Sequence, residues 1–534
     1  MKANFVTPQQ AVSEIRDGMT LCCVGMTLVG AAETILKELE RSFQETGSPC
    51  DLTYVHSAGQ SDRKLGNNHL AHPGLVRRVI GSHWGLAPRW MELIDSEQVE
   101  AYCLPQGQIA HLYRAMAAGK SGEISKIGIG TFVDPRVEGG KLNERTKKLP
   151  DISSIVELNG EEYIYYHEIP LDVVIIRGTL CDEMGNLTTD EEAMKLELLP
   201  AVLAAKRYGG KVIAQVKHMV ETGTIHPKRV DVPGNFIDAI VVCSNPEEEH
   251  RQTSSWAFDP AFCGDIRTPM STVEPLPGGI RKFIGRRGAM EMAPGCVINL
   301  GTGIPNDVIG GIVAEEDLGE EVLVTVESGI YGGVQAGGID FGIGKNLYAM
   351  ISHDSQMDYY NGAGVDITYM GAGEMDAFGN VNATKMGPRC TGAGGFIDIT
   401  ANAKHVVFLS TFTASGLEAE FSEDGVRIVR EGRIKKLVRQ VMQISYHGKT
   451  ALERGQKMHF VTERAVFELR PEGPVLVEIA KGIDLKRDIL DQMEFVPKIA
   501  ENLRIIPTCI YQNQAFGLKA WIEREQKEGT TGEM

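Results

Sequence analysis

Glu327 is the carboxylate whose sequence setting most suggests chemistry. Residues 322–326 (Val-Leu-Val-Thr-Val) have the pattern of a buried β-strand, and Glu327 follows them directly, ahead of Ser328 and Gly329. Ligands of open α/β sheets bind beside the carboxyl ends of the strands, so a carboxylate at this place could act as a nucleophile. The same local pattern fits a solvated carboxylate at a strand end equally well.

A glycine-rich turn follows another apolar run of the second half. Gly301, Thr302, Gly303 and Ile304 come directly after residues 297–300. A strand-to-helix turn of this kind directs free N–H groups at an anion. The turn lacks the third glycine of the dinucleotide fingerprint and the Gly-Lys-Ser/Thr of a P-loop, and a plain tight turn is the alternative.

Two further motifs could supply hydrogen-bond donors to a developing oxyanion. Gly392, Gly394 and Gly395 lie close together, followed by Phe-Ile-Asp, and so bare a backbone can present its N–H groups without hindrance. Gln106 stands between a proline and a glycine after a predicted strand, and its amide could donate into a site. A close backbone crossing would explain the glycines as well, and the glutamine motif alone has low specificity.

Composition and charge exclude several function classes. The chain has 534 residues, a formal net charge of −17 and ten cysteines without a C-x-x-C pair. A general nucleic-acid binder needs a basic surface, and the scattered cysteines indicate reduced thiols rather than disulfides or a zinc site. The histidines lack metal-ligand spacing, so we expect no metal. Without an 18-residue apolar run or a signal-like start, we expect a cytoplasmic protein without a membrane span.

The elements that must position these residues alternate between strands and helices, which is typical of α/β architecture with mostly parallel sheets. Three pairs of similar segments recur in the same order, which indicates an internal duplication. The pairs are residues 18–25 with 295–301, residues 182–186 with 376–380, and residues 234–238 with 394–398. We predict an N-terminal domain over residues 1–245, a linker over 246–280, a C-terminal domain over 281–515 and a frayed tail over 516–534.

Motifs along nearly the whole chain resemble the class I CoA-transferases, and most closely the acetate/propionate (acyl-CoA:acetate/3-ketoacid) type. In the first half, the motifs are Gly81-Ser-His-Trp-Gly85, Pro105-Gln-Gly107 and the segments at residues 127–135 and 139–144. In the second half, they are Val324-Thr-Val-Glu-Ser-Gly329, Gly394-Gly-Phe-Ile-Asp398 and the segments at residues 451–455, 461–467 and 484–490. So many matches in order are specific for the family and much less specific for a substrate.

The resemblance implies two similar α/β domains with the active site between them, usually in dimers or tetramers. It implies that Glu327 is the catalytic nucleophile and that Gln106 and the Gly394–Gly395 backbone serve the oxyanion. It also implies that residues 301–304, Gly392 and Lys404 contact CoA or substrate. Met26 and Thr27 stand where relatives often have more glycine, so acyl specificity does not carry over directly.

The implied reaction moves CoA between a short-chain acyl-CoA and a carboxylic acid such as acetate or propionate, with acyl-CoA as substrate and no permanent cofactor. An unperturbed glutamate has a pKa of about 4.3, so we expect Glu327 to be ionised at neutral pH and to form a glutamyl-CoA thioester in ping-pong catalysis. The alternative on the same fold is an acyl-CoA hydrolase. A non-catalytic sensor or a sugar-phosphate isomerase on a related fold would not explain Glu-Ser-Gly together with the Gly-Gly-Phe-Ile-Asp turn.

Overall fold

Two large β-sheets, one in each half of the chain, organise the computed structural model, which describes residues 2–269, 276–512 and 514–529. Residues 270–275 of the predicted linker and 530–534 of the predicted tail lie outside the described residues. The first-half strands are β1 (Thr20–Cys23), β2 (Leu52–Val55), β3 (Val76–Gly81), β4 (Glu100–Cys103), β5 (Gly122–Ser125), β6 (Ser153–Leu158), β7 (Glu161–His167), β8 (Val173–Asp182), β9 (Lys211–Val220) and β10 (Ala239–Val242). The first-half helices are α1 (Pro8–Val12), α2 (Glu33–Thr46), α3 (Pro88–Asp95), α4 (Gln106–Ala117), α5 (Glu144–Lys147), α6 (Leu198–Arg207) and α7 (Pro246–Glu249).

The first sheet has seven strands in the order β10-β9-β8-β1-β2-β3-β4, and every neighbouring pair is parallel. Strands β2 and β4 are buried along their whole length, as are nine of the ten residues of β8. Parallel strands covered on both faces carry such near-continuous burial. A separate antiparallel sheet of β5, β7 and β6 extends this half.

The second half repeats the plan with more strands. Its strands are β11 (Val297–Leu300), β12 (Leu323–Val326), β13 (Ile330–Tyr331), β14 (Val334–Gln335), β15 (Gly344–Lys345), β16 (Ala349–Met350), β17 (Ile367–Gly371), β18 (Glu374–Met375), β19 (Val381–Asn382), β20 (Lys385–Met386), β21 (Arg389–Cys390), β22 (His405–Leu409), β23 (Thr413–Ala414), β24 (Glu418–Ser422), β25 (Gly425–Arg430), β26 (Ile434–Lys435), β27 (Lys457–Val461), β28 (Ala465–Arg470), β29 (Gly473–Ala480) and β30 (Lys498–Ile506). Its helices are α8 (Ile280–Ala289), α9 (Gly310–Glu315), α10 (His353–Asn361), α11 (Phe396–Asn402), α12 (Gly448–Glu453) and α13 (Leu518–Gly529).

The second sheet has ten strands in the order β16-β13-β12-β11-β17-β22-β27-β28-β29-β30. Its central five, from β12 to β27, are parallel. Reading both sheets from β10 and from β27, the orders β10-β9-β8-β1-β2 and β27-β22-β17-β11-β12 correspond strand for strand. The predicted α/β fold with an internal duplication is confirmed, and β12, which precedes Glu327, corresponds to β2.

One predicted pair of similar segments has the same hydrogen bonds in both halves. Asp182 Oδ1 accepts from the backbone N–H of residues 184 and 186, and Asn186 Nδ2 donates to Asp182 Oδ2 at 3.0 Å. Asp376 and Asn380 form the same set, with the amide donating at 3.1 Å. Aspartate and asparagine form such side-chain-to-backbone turns readily, and each turn follows a corresponding strand, β8 or β17.

The third predicted pair, residues 234–238 with 394–398, does not join corresponding elements. The Asn186 side chain accepts from the N–H of Gly234 at 3.2 Å, whereas Asn380 accepts from Gly448 at 3.0 Å. Gly234 therefore corresponds to the start of α12, because both glycines lead into the strands β10 and β27. Residues 394–398 open α11, whose counterpart by strand order is α6. The two segments share glycine, phenylalanine and aspartate residues, but they do not occupy corresponding positions in the two halves.

The predicted linker and tail are both more structured than the sequence suggested. The linker begins with α7 and buries Phe262, which is 2% exposed, against the first-half core. The predicted frayed tail contains α13, which buries Leu518 and Ile522. The carboxylate of Glu316 accepts the backbone N–H groups of residues 516–518 and holds the start of that helix. Among the described helices, none combines the length and apolar character needed to cross a membrane.

Candidate active site

A cavity of about 520 Å³ lies where the carboxyl ends of the two sheets face each other. Both halves contribute to its wall, so neither half forms it alone. Among its lining residues are Met26, Thr27, His83 and Gln106 from the first half and Gly301, Thr302, Glu327, Met370, Gly392, Gly394, Gly395 and Lys436 from the second.

Glu327 lies in this cavity wall, directly after β12, and its side chain is largely buried, with the residue 8% exposed. Gly329 makes the sharp turn behind it at a φ of +98°, where an added Cβ would lie 2.1 Å from the carbonyl oxygen of Ile351. Burial raises the pKa of Glu327 to about 7, against the opposing effects of His353 and a hydrogen bond from Gln106. At neutral pH, Glu327 is therefore only partly ionised, which departs from the expectation of an ionised carboxylate because the unperturbed pKa leaves out the loss of water.

Gln106 is the first residue of α4, and its backbone N–H donates to the carbonyl oxygen of Gly394 at 3.0 Å. Its side-chain Nε2 lies 3.4 Å from Glu327 Oε1 and 2.9 Å from His353 Nε2. A first-half amide thus reaches across the interface to a second-half carboxylate.

Asp398 connects two of the sequence motifs, Pro105-Gln-Gly107 of the first half and Gly394-Gly-Phe-Ile-Asp398 of the second. Its carboxylate accepts from the backbone N–H of Gly107 at 2.8 Å and from the side chain of Gln108 at 2.9 Å. An added Cβ on Gly107 would lie 2.6 Å from Asp398 Oδ1, so only glycine allows this approach. Asp398 therefore joins the start of α4 to α11 and holds Gln106 beside Glu327.

The backbone N–H groups of Gly394 and Gly395, the two candidate oxyanion donors, differ in whether they already donate a hydrogen bond. The N–H of Gly394 donates to the carbonyl oxygen of Ser82 at 2.9 Å, so it is already bound. Within the described part of the chain, the N–H of Gly395 has no such partner. An added Cβ on Gly395 would lie 2.7 Å from Glu327 Oε2. Gly395 is thus the closer and freer neighbour of the carboxylate, while Gly392 lines the cavity and pairs with His83 in an isolated bridge.

Only part of the glycine-rich turn at residues 301–304 lies at the cavity. Gly301 and Thr302 line it, whereas Gly303 and Ile304 are not part of its wall. A π-helical turn at Pro305–Ile309 continues into α9. Gly301 and Thr302 therefore lie just before a helical turn, and the N–H of Gly301 is already bound to the carbonyl oxygen of Tyr369 at 2.8 Å.

Lys404 is not brought to the cavity. It precedes β22, at the amino edge of the sheet, with its side chain 69% exposed and its ammonium 2.7 Å from Asp366 Oδ1. The lysine of the cavity wall is instead Lys436, whose Nζ donates to Ser410 Oγ at 2.8 Å beyond the carboxyl end of β22. Burial lowers the pKa of Lys436. The sequence around Lys436 gives no sign of the cavity, because residues 431–436 form an ordinary run of charges.

Met26 and Thr27, two residues of the loop after β1, line the cavity. Thr27 has a φ of +52°, which is strained for a β-branched residue. Its N–H donates to the carbonyl oxygen of Gly59 at 2.7 Å and holds this conformation. Both side chains take up space in the cavity.

A buried pair that the sequence analysis missed lies beside Gln106. His353 Nδ1 is 2.7 Å from Glu197 Oε2, and both side chains are about 1% exposed. Neither residue forms part of a spaced motif, so only the folded chain reveals the pair.

Among the described residues, one group of three possible metal ligands has its ligand atoms within 4.8 Å of one another: Glu291, His405 and His459. The group is not part of the cavity wall. The Glu291 carboxylate already binds Arg287 at 2.9 Å and Lys457 at 3.3 Å. Two cations beside the carboxylate oppose a divalent ion, so we assign the group no metal role.

Known proteins resemble this chain over nearly its whole length. A family model described as Coenzyme A transferase matches residues 5–243. The chain is 41% identical to the caffeate CoA-transferase of Acetobacterium woodii, covering 97% of this chain and 99% of that protein. It is 40% identical to the acetate CoA-transferase YdiF of Escherichia coli strain K12, covering 96% of each.

The fold agrees with a solved structure of the same kind. A crystal structure of the acyl-CoA transferase YdiF from E. coli O157:H7, in a thioester complex with CoA, superimposes with a TM-score of 0.90 at 39% identity and covers 97% of each chain. The relatives named here are transferases, which gives the hydrolase alternative no support. The chain therefore belongs to the coenzyme A transferase family and is a CoA-transferase.

Proposed function

We propose that this enzyme transfers CoA from a short-chain acyl-CoA to a small carboxylic acid, such as acetate or propionate, through a glutamyl-CoA thioester on Glu327. The observation that carries the proposal is the position of the Glu327 carboxylate, buried in the shared cavity beside Gly395 and the amide of Gln106. The reaction consumes one CoA thioester and forms another. Its free-energy change is therefore small, and no nucleotide is needed to drive it.

The carboxylate of Glu327 attacks the acyl-CoA carbonyl and expels CoA thiolate, which leaves a mixed anhydride. The thiolate then attacks the Glu327 carbonyl of that anhydride, forming the glutamyl-CoA thioester and releasing the first acid as its carboxylate. The second acid attacks the thioester, and the same two steps in reverse order form the new acyl-CoA and restore Glu327.

Each addition places negative charge on a carbonyl oxygen, which donors fixed beforehand stabilise best. We assign this role to the N–H of Gly395 and the amide of Gln106, and not to Gly394, whose N–H is already bound to Ser82. Gly301 and Thr302, which precede the helical turn, and the ammonium of Lys436 are the cavity groups we assign to CoA. Remote binding of the CoA tail would hold the reacting carbonyl in place.

Trapping of the intermediate tests this function. Incubation with acetyl-CoA alone should add CoA to Glu327 with release of acetate, seen by intact mass and as a borohydride-reducible thioester. Glu327→Gln should lose the adduct and at least about 10³-fold in kcat, and Glu327→Asp should retain little activity because its carboxylate is one methylene shorter. An active enzyme without the adduct, or full activity in Glu327→Ala, would refute the mechanism.

A panel of acceptor acids identifies the second substrate. Acetate, propionate, butyrate, lactate and acetoacetate, each with acetyl-CoA as donor, should differ in kcat/KM. Steady release of CoA without any acceptor would instead indicate hydrolysis.

We also propose a cytoplasmic location and a homodimer or homotetramer. In support of the first, all ten cysteines are free thiols, as in reducing compartments. Light scattering coupled to size-exclusion chromatography would measure the oligomeric state.

A further inference from the structure

The carboxylate of Glu197 is fully engaged in the interior of the protein. One oxygen accepts from His353 Nδ1 at 2.7 Å, and the other accepts from the hydroxyl of Ser57. Burial raises the pKa of Glu197, but these hydrogen bonds and the positive charge that His353 carries when protonated lower it by more, and the net direction is down. Glu197 is thus a buried anion with a specific partner.

The pair is anchored by backbone from both halves. Glu197 directly precedes α6 in the first half, whereas His353 is the first residue of α10 in the second. The backbone N–H of His353 donates to the carbonyl oxygen of Lys195 at 2.8 Å. The imidazole therefore has a fixed place relative to Gln106, whose helix α4 packs against α10.

The hydrogen-bond partners define which way the Gln106 amide faces. Because Glu197 accepts from Nδ1, that nitrogen carries the proton, and Nε2 of the neutral ring is an acceptor. Gln106 must then present its NH2 group to His353 at 2.9 Å, and the second N–H of that group faces Glu327 Oε1 at 3.4 Å. The opposite amide orientation would place its oxygen against a lone pair and a carboxylate.

We propose that Glu197 and His353 are positioning residues that hold the amide of Gln106 with its NH2 group toward the reacting carboxyl of Glu327. The proposal rests on the proposed function, because it explains how one oxyanion donor is oriented before charge develops. Neither residue lines the cavity. Their loss should therefore lower kcat and leave the KM for acyl-CoA nearly unchanged.

Two substitutions of His353 separate positioning from simple packing. In His353→Gln, the amide lies near the former Nε2, so it can still accept from Gln106 but loses Glu197. In His353→Asn, the amide lies near the former Nδ1, so it keeps Glu197 but loses Gln106. We expect kcat to fall about 10²-fold in His353→Asn and less than about tenfold in His353→Gln, with KM within about twofold in both. Equal losses, or the reverse order expected if the ring only neutralises Glu197, would overturn the proposal.

A double-mutant cycle adds a second readout. If His353 acts through Gln106, Gln106→Ala and the double variant with His353→Asn should have the same kcat within about twofold. Glu197→Ala is the second probe should His353→Asn fail to fold, and it too should cost kcat only when Gln106 is present. Additive losses would overturn the proposal.

Glu197 and Glu327 raise the pKa of His353 against the effect of burial, so the assays are run at pH 8, where the neutral ring is favoured. The ionisable groups that act electrostatically with His353 are Glu197, Glu327, Asp354, Asp398 and His111. Trapping of CoA on wild-type Glu327 is measured first, since its absence would refute the proposed function itself. The order of kcat among the variants is read from overall transfer and does not depend on trapping.

Discussion

Glu327 combines two requirements that oppose each other. A nucleophilic carboxylate must lose its proton, but burial, which excludes the water that would hydrolyse an anhydride, disfavours the charge. The outcome is a pKa raised to about 7, near the pH at which many enzymes work. Proximity to His353 and Gln106 keeps the shift from being larger.

This pKa predicts opposite pH trends for activity and stability. Activity should rise as pH increases through about 7, because the free enzyme's Glu327 ionises there. Between the ordinary pKa of 4.5 and about 7, the folded state holds a proton that the unfolded state has lost, so this group lowers stability as pH rises. Glu327→Gln should therefore have a Tm about 2–4 °C above wild type at pH 8 and the same Tm at pH 4.

Thermal unfolding of both proteins from pH 4 to pH 8 checks this, together with kcat/KM of the wild type over the pH range in which it stays folded. Identical Tm differences at both ends of the range would contradict the assigned pKa. An activity profile that is flat from pH 6 to pH 8 would contradict it as well.

At the scale of elements, the site depends on close approaches that only glycine allows. Gly107 lies against Asp398, and Gly395 lies against Glu327, in each case where an added Cβ would come within 2.7 Å of a carboxylate oxygen. The first contact joins the starts of α4 and α11, one from each half, and the second places the start of α11 against the end of β12. The glycine motifs therefore define the distance between the two helices as well as the donors they present.

Gly395→Ala should displace the Glu327 carboxylate and lower kcat about 10²-fold, with little change in Tm, because its backbone φ is not positive. Gly310→Ala, at the start of α9, is the matched control. In Gly310→Ala, the atom nearest to the added Cβ is Leu300 Cδ1 at 3.9 Å, so the methyl group fits. The free energy of unfolding should rise by up to about 1 kcal/mol, because alanine favours a helix more than glycine does. Steady-state kinetics and thermal unfolding of both variants test this, and equal kinetics in the two would argue against the close approach.

The sequence predicted the features that a single chain segment determines, such as buried strands and the residues that directly follow them. The apolar runs at residues 297–300 and 322–326 correspond to β11 and β12, and the carboxylate after the second run lies in the cavity. Local patterns could not pair Glu197 with His353, since 156 residues separate them. Nor could they show that the Gly394 N–H is used by Ser82 and that Lys436, not Lys404, faces the cavity.

At the scale of the whole molecule, the duplication left two halves with different tasks. Glu327 follows β12, and the corresponding strand β2 is followed by His56, which is fully buried. Burial lowers the pKa of His56 to about 4, so it is a neutral core residue at that place. The second half thus supplies the carboxylate, whereas the first supplies Gln106 and the loop at Met26 and Thr27.

Because every contact at the site is non-covalent, continuity of the chain between the halves should not be needed for catalysis. The family model ends at residue 243, close to the boundary we propose at 245. Residues 1–245 and 246–534, expressed together as two chains, should copurify as a complex. Its kcat should lie within about tenfold of the intact enzyme, since the contacts that join the halves, such as that between the Gly107 N–H and Asp398, do not depend on the linker.

Affinity purification through a tag on one chain, followed by transfer assays, tests this division. The same pair carrying Glu327→Ala in the longer chain is the control and should copurify equally well while losing activity. Either chain expressed alone should be inactive, because the cavity wall would lack Gln106 or Glu327. Copurification without activity in the unmodified pair would mean that linker residues near the cut, such as Phe262, which packs in the first-half core, must stay joined to the first half to shape the site.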